Sequence, residues 1–153
     1  MSVKQMQILS MMCDLYRSVR AVIRFSLFLC VAFILGLIQI IYGTLTRDYY
    51  TLTRIFHVLC CFVLNVRVHV QGNIEKSQTL YAANHLSWAD IFVIGAHVRA
   101  IFIAKSEVSG WPLLGQLARL QNTVFIRRMK KATKEGVERV GQVLDLGHSI
   151  ILF

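Results

Sequence analysis

Acidic side chains are scarce in this chain. Eight Asp and Glu stand against seventeen Lys and Arg, and charged residues fill only 16% of its 153 positions. With 56% hydrophobic residues and a net charge of +9, that balance points to a membrane surface rather than to nucleic acid, whose binders are basic but seldom so apolar. A basic soluble protein with a large core is the plainer alternative. Cysteine is absent after residue 61, and Cys13, Cys30, Cys60 and Cys61 include no C-x-x-C pair. Zinc or redox chemistry therefore has little support, and the four read as free thiols in a reducing compartment. Neither G-x-G-x-x-G nor G-x-x-x-x-G-K-S/T occurs, which argues against a nucleotide site.

Charge is missing altogether from Phe25 to Thr46. Those 22 residues would extend about 33 Å as a helix, enough to cross a hydrocarbon core. Arg17, Arg20 and Arg24 precede the run and favour a cytoplasmic location for that side. The run is longer than a signal-peptide core, and no clear small-x-small cleavage site follows it. A second apolar stretch, Ile55 to Val66, is short for a span. It fits either a tilted second crossing or a helical hairpin dipping into one leaflet, with Tyr42, Tyr49 and Tyr50 at headgroup level. Either form returns the rest of the chain to the cytoplasmic side.

From Arg67 onward the periodicity changes. Val66, Val68 and Val70 alternate with Arg67 and His69 and read as a strand ending at Gly72. Further strands are predicted at 79–83, 100–104, 123–126 and 149–153. Helices are predicted between them at 87–96, 111–120 and 130–146, with Pro112 in a first turn. The last helix is amphipathic, with Val137, Val140, Val143 and Leu144 on one side. Membrane-anchoring helices over residues 1–65, then an α/β domain with a mostly parallel sheet over 66–153, is the fold class this order implies. In such sheets functional groups gather beyond the carboxyl ends of the strands.

The segment Asn84-His85-Leu86-Ser87-Trp88-Ala89-Asp90 falls at one of those ends. On a continuous helix His85 and Asp90 would face about 140° apart. With His85 in the strand–helix turn and Asp90 in the first helical turn, the carboxylate can reach back to the imidazole. An ionised Asp90 would then fix the ring tautomer, leaving the other nitrogen to take a proton from a bound hydroxyl. Ser87 and Asp90 also match a capping box, in which both only satisfy helix amides. Arg127, Arg128 and Lys105 follow strands and could face an anionic group, or could simply be exposed basic strand ends. His57, His69, His97 and His148 show no ligand spacing and read as structural or surface residues.

These residues, in this order, resemble the glycerolipid acyltransferase family, specifically the lysophosphatidic acid (1-acylglycerol-3-phosphate) acyltransferases of bacteria. Asn84-His85 through Asp90 is similar to the family's N-H-x-S-x-x-D motif. Lys105-Ser106-Glu107 with Trp111-Pro112 and Gly115 resembles its connecting segment. Thr123 to Arg128 looks like the second motif, commonly F-I-D-R, with Arg127 where aspartate is common. The family's third motif, F-P-E-G-T, should follow a strand like Ile150 to Phe153, and the sequence ends on that phenylalanine. A truncated acyltransferase domain is the corresponding expectation.

The resemblance implies that His85, oriented by Asp90, is the base. Arg128, with Lys105 and Arg127, would bind the acceptor's phosphate. The acyl donor would be acyl-CoA or acyl-carrier protein, the acceptor a lysophospholipid, and the product phosphatidic acid. No metal or cofactor is implied. The expected location is the inner membrane, with the catalytic part facing the cytoplasm. A lyso-ornithine lipid acceptor fits the same motifs. Two further readings are a non-catalytic lipid-binding remnant and a metal hydrolase using His69, His85, Asp90 and His97.

Overall fold

Ser2 opens the first helix through a capping box. Its hydroxyl accepts from the Lys4 amide at 3.2 Å, and the Gln5 side chain accepts from the Ser2 amide at 2.9 Å. In the computed structural model, which describes residues 2–75, 77–126 and 134–153, helix α1 then runs unbroken over Val3–Thr46. Its 44 residues extend about 66 Å. The stretch Lys4–Thr46 is long and apolar enough to cross a membrane, with a mean hydropathy of 2.5 in its best window. Arg47, in the left-handed region at φ 57°, ends it by donating its N–H to the Gly43 carbonyl.

Asp48 starts the next helix. One carboxylate oxygen accepts from the Tyr50 and Thr51 amides, and the other from the Thr51 hydroxyl. Helix α2 (Thr51–Leu64) has 14 residues, about 21 Å, which falls short of a hydrocarbon core. It folds back along α1, so the second apolar stretch is the short arm of a helical hairpin. Asn65 stops it at φ 58°, a conformation asparagine tolerates better than most residues.

The hairpin and the α/β region share one core. Phe28 and Ala32 of α1 pack with Phe56, Cys60 and Cys61 of α2 and with Phe92 and Ala96 farther along the chain. The Phe28 ring lies 6.2 Å from Phe56 and 6.0 Å from Phe92, centroid to centroid. Burying one such ring is worth about 1.5–3 kcal/mol. The other sides of α1, including Phe33, Ile34, Leu37 and Ile41, remain exposed.

Four strands build the sheet: β1 (Leu80–Ala82), β2 (Ile101–Lys105), β3 (Val124–Ile126) and β4 (Ile150–Leu152). Their order is β1-β4-β2-β3, with every pairing parallel. Parallel neighbours need crossovers, here α3 (Ala89–Gly95), α4 (Leu114–Leu120) and α5 (Lys134–Asp145). The last strand lies in the middle, so Ile150 and Ile151 are fully buried. Because all four strands run the same way, His85, Lys105 and Phe153 leave the sheet at one edge.

Three expectations need correction. Residues 66–70 form no strand: Val68 reaches the hairpin core half-buried, but Val66 and Val70 stay exposed, and with no fully buried residue the segment joins no ladder. The helix expected from Trp111 begins only at Leu114. Before it, Leu113 stands at φ 59°, ψ −60°, and the Leu114 amide bonds the Pro112 carbonyl at 2.6 Å, a strained γ-turn. On α5, Val140, Val143 and Leu144 are half-buried but Val137 is exposed. The expected start of that helix, from Lys130, lies outside the described residues.

Candidate active site

The strand β1 delivers the site. Its ladder continues one bond past Ala82, with the Ala83 amide donating to the Leu152 carbonyl at 3.0 Å. The chain then leaves the sheet through Asn84 and His85 and enters α3 four residues later. Asp90, in the first turn of α3, points back across that connection. Its Oδ2 accepts from the Leu86 and Ser87 amides, each at 2.8 Å. The same oxygen lies 3.2 Å from His85 Nδ1.

One oxygen therefore caps the helix and faces the imidazole. The cap and the His85–Asp90 contact coexist in one arrangement. Ser87 completes the cap by accepting from the Ala89 amide at 3.2 Å. The Ser87 amide is the main cause holding the Asp90 carboxyl below the usual carboxylate range; desolvation opposes it, and the Leu86 amide and His85 add to the lowering. An ionised Asp90 makes Nδ1 the protonated nitrogen of neutral His85. Nε2 is then left as the acceptor.

The imidazole is packed as well as bonded. The Phe153 ring stacks on it at 4.4 Å between centroids and 26° between planes. Phe153 stacks in turn on Phe102 at 5.9 Å, so β4 and β2 support the ring from below. His85 keeps 42% of its side-chain surface open. Leu86 and Trp88, which follow it in the chain, are exposed, giving the site an apolar rim. Sequence reasoning missed Phe153 as a neighbour of His85, because nothing in a terminal aromatic signals that β4 enters between β1 and β2.

Lys105 ends β2 at the same edge and is exposed. With β4 intervening, it stands two strand spacings from β1, about 10 Å. Its register partner is Ile126, the last residue of β3, so the chain following β3 departs from beside Lys105. Arg127 and Arg128 lie outside the described residues. Among the described residues no three His, Cys, Asp or Glu side chains are grouped to hold a metal ion. His97 Nδ1 lies 3.0 Å from the Val93 carbonyl, and His148 Nδ1 lies 2.9 Å from the Tyr50 hydroxyl. His57 is buried at the α2–α3 contact.

Comparison with known proteins bears on this geometry. The chain is 40% identical over 104 residues to a lyso-ornithine lipid O-acyltransferase of Rhizobium meliloti, covering 67% of this chain and 36% of that protein. Another lyso-ornithine lipid O-acyltransferase, from Pseudomonas aeruginosa, is 36% identical over 67% of this chain and 40% of its own length. A 1-acyl-sn-glycerol-3-phosphate acyltransferase of Neisseria meningitidis is 41% identical over 63% of this chain and 38% of its own length. The chain thus spans about two fifths or less of these relatives. No solved structure matches it. The family model described as Acyltransferase matches residues 65–153, the stretch that holds the sheet, His85 and Asp90, and the chain belongs to that family.

Proposed function

We propose that this chain carries the base-bearing part of a membrane-bound lysolipid O-acyltransferase. The observation that supports it most is the single Asp90 oxygen shared by two backbone amides and His85 Nδ1. His85 Nε2 takes the proton of the acceptor's free hydroxyl as its oxygen attacks the thioester carbonyl of acyl-CoA or acyl-carrier protein. The tetrahedral intermediate expels the thiolate, and the His85 imidazolium returns the proton to sulfur. An ester and a free thiol result, with no acyl-enzyme. Asp90 stays ionised throughout and stabilises the imidazolium.

Lys105, together with Arg127 and Arg128, is proposed to hold the acceptor's anionic group. That group is the phosphate of 1-acylglycerol-3-phosphate in the first reading, which yields phosphatidic acid. The relatives named lyso-ornithine lipid O-acyltransferases favour a second reading, in which the group is the ornithine carboxylate. Helix α1 is proposed to anchor the protein in the inner membrane, with the apolar rim around His85 turned toward the lipid and the site open to the cytoplasm.

A direct test incubates membranes containing this chain with labelled acyl-CoA or acyl-carrier protein and each acceptor in turn. Labelled phosphatidic acid supports the first reading and labelled ornithine lipid the second. His85→Ala should cut either rate by about 10²- to 10⁴-fold, the usual contribution of a general base. Product formation at an undiminished rate by His85→Ala would remove the base assignment. Labelled acyl-protein trapped during turnover would contradict direct transfer.

A further inference from the structure

The opposite end of the sheet holds a second polar cleft. It lies where the α1–α2 turn meets the C-terminal end of α3 and the start of β2, and it encloses about 120 Å³. That is several times the space one water requires. Its lining includes Tyr50, Thr53, Arg54, His57, Arg99 and Gln121. Its deepest lining residue on β2, Phe102, stands three residues before Lys105, roughly 10 Å away.

Two observations mark this cleft as a built site. First, His57 is 1% exposed, yet neither of its ring nitrogens has a hydrogen-bond partner. They approach the Gly95 backbone and the Gln121 side chain without reaching bonding geometry, and Gln121 Oε1 is equally unpartnered. Leaving buried polar atoms unpaired is costly, typically enough to be avoided. Second, no carboxylate lines the cleft, although two guanidiniums do. Asp48 spends both oxygens on hydrogen bonds to Tyr50 and Thr51 and acts on Arg99 only at a distance, as the smallest of the effects on its own pKa. Among the described residues neither Arg54 nor Arg99 forms a salt bridge. Arg54 donates its Nε–H to the Ala96 carbonyl, and Arg99 rests over the Tyr50 ring at 4.9 Å.

We infer that this cleft binds a phosphate group, as a free ion or as the monoester headgroup of a lipid. Arginine pairs its parallel N–H groups with two oxygens at a time. Engaging two arginines together with the N–H groups of His57 and of the Gln121 amide takes a group with more than two acceptor oxygens, while the Thr53 hydroxyl is already spent on the Tyr49 carbonyl. Phosphate meets that demand and a carboxylate does not. The ligand would also supply the buried imidazole with the partner it lacks. The inference is independent of the acyl-transfer reading, since none of these residues belongs to the His85 site.

The experiment titrates inorganic phosphate into the full chain in detergent micelles and follows the histidine ring resonances by NMR, with chloride at matched ionic strength as blank. Saturable movement of the His57 resonances by phosphate and not by chloride is the expected result. Arg54→Gln with Arg99→Gln should weaken that binding at least about tenfold, given the strength of charge-assisted bonds. Both side chains belong to exposed residues, and a cooperative melt at the parent temperature shows the variant folded. If the double variant melts early, Arg99→Gln alone serves, because that side chain makes no hydrogen bond among the described residues. Vesicles of phosphatidylcholine containing phosphatidic acid form the last arm. Displacement of phosphate assigns the headgroup, and retention assigns the free ion. Phosphate that moves only His85, leaves His57 still, or acts equally on the double variant overturns the inference.

Discussion

Asp90 Oδ2 accepts three hydrogen-bonding groups, and that crowding decides what its replacement does. Asp90→Asn keeps the shape but offers a neutral carbonyl where two amides and an imidazole N–H converge. Asparagine caps about as well as aspartate, so stability should change by less than about 1 kcal/mol. On the proposed mechanism the rate of acyl transfer should fall much further, because the imidazolium loses its counter-charge and the ring its tautomer lock. A thermal melt together with turnover separates the two effects, and an Asp90→Asn protein with full turnover would leave Asp90 as a cap alone. The lowered carboxyl pKa sets the sign of the pH effect. Stability from this group is complete above the unfolded value of 3.8 and is lost as pH falls through the lower folded value. The five-residue spacing of His85 and Asp90 was legible in the sequence. The sharing of one oxygen was not, since it depends on how the chain turns between Ala83 and Ala89.

Elements were legible where their pattern met a partner and illegible where it did not. The runs that became β1, β2, β3 and β4 are apolar and flanked by turns, and each found a parallel neighbour. Val66 to Val70 alternates as cleanly, but β4 and β2 fill the centre of the sheet and no ladder reaches it. The contact between α2 and α3 depends on a feature that hydropathy does not reveal. Gly95 is buried, and a Cβ built there would overlap the His57 ring. Gly95→Ala therefore gains helix propensity but must push an imidazole already wedged among Phe56, Phe92 and Phe102. Overpacking of this kind costs about 1–3 kcal/mol, so the variant should melt several degrees lower. A melt at or above that of the parent would mean the helices part without penalty.

Across the whole molecule, the hairpin is more than a tether, because α1 and α2 contribute most of one core cluster. The stability of the α/β region is thereby tied to a histidine in the hairpin. Burial lowers the His57 pKa to about 4 from 6.5, with weaker opposing help from Gly95 and Gln121. Above pH 6.5 the folded and unfolded chains both hold this ring neutral, and its contribution is complete. Between pH 6.5 and 4 the unfolded chain takes up a proton that the folded chain refuses, so stability drops as pH falls. The slope approaches about 1.4 kcal/mol per pH unit and the total loss about 3 kcal/mol. Below pH 4 the folded chain is protonated too, and this source of pH dependence ends. Asp48 and Asp90, both with lowered pKa, act only in the more acidic range. Denaturant unfolding at pH 7.5, 6, 5 and 4.5 should therefore show a decline beginning near pH 6.5 in the parent. His57→Gln, which cannot titrate there, should flatten that part of the curve whatever its own stability. An identical decline in His57→Gln would place the sensitivity elsewhere, whereas a flattened one makes the hairpin histidine the acid-sensitive joint between the hairpin and the sheet.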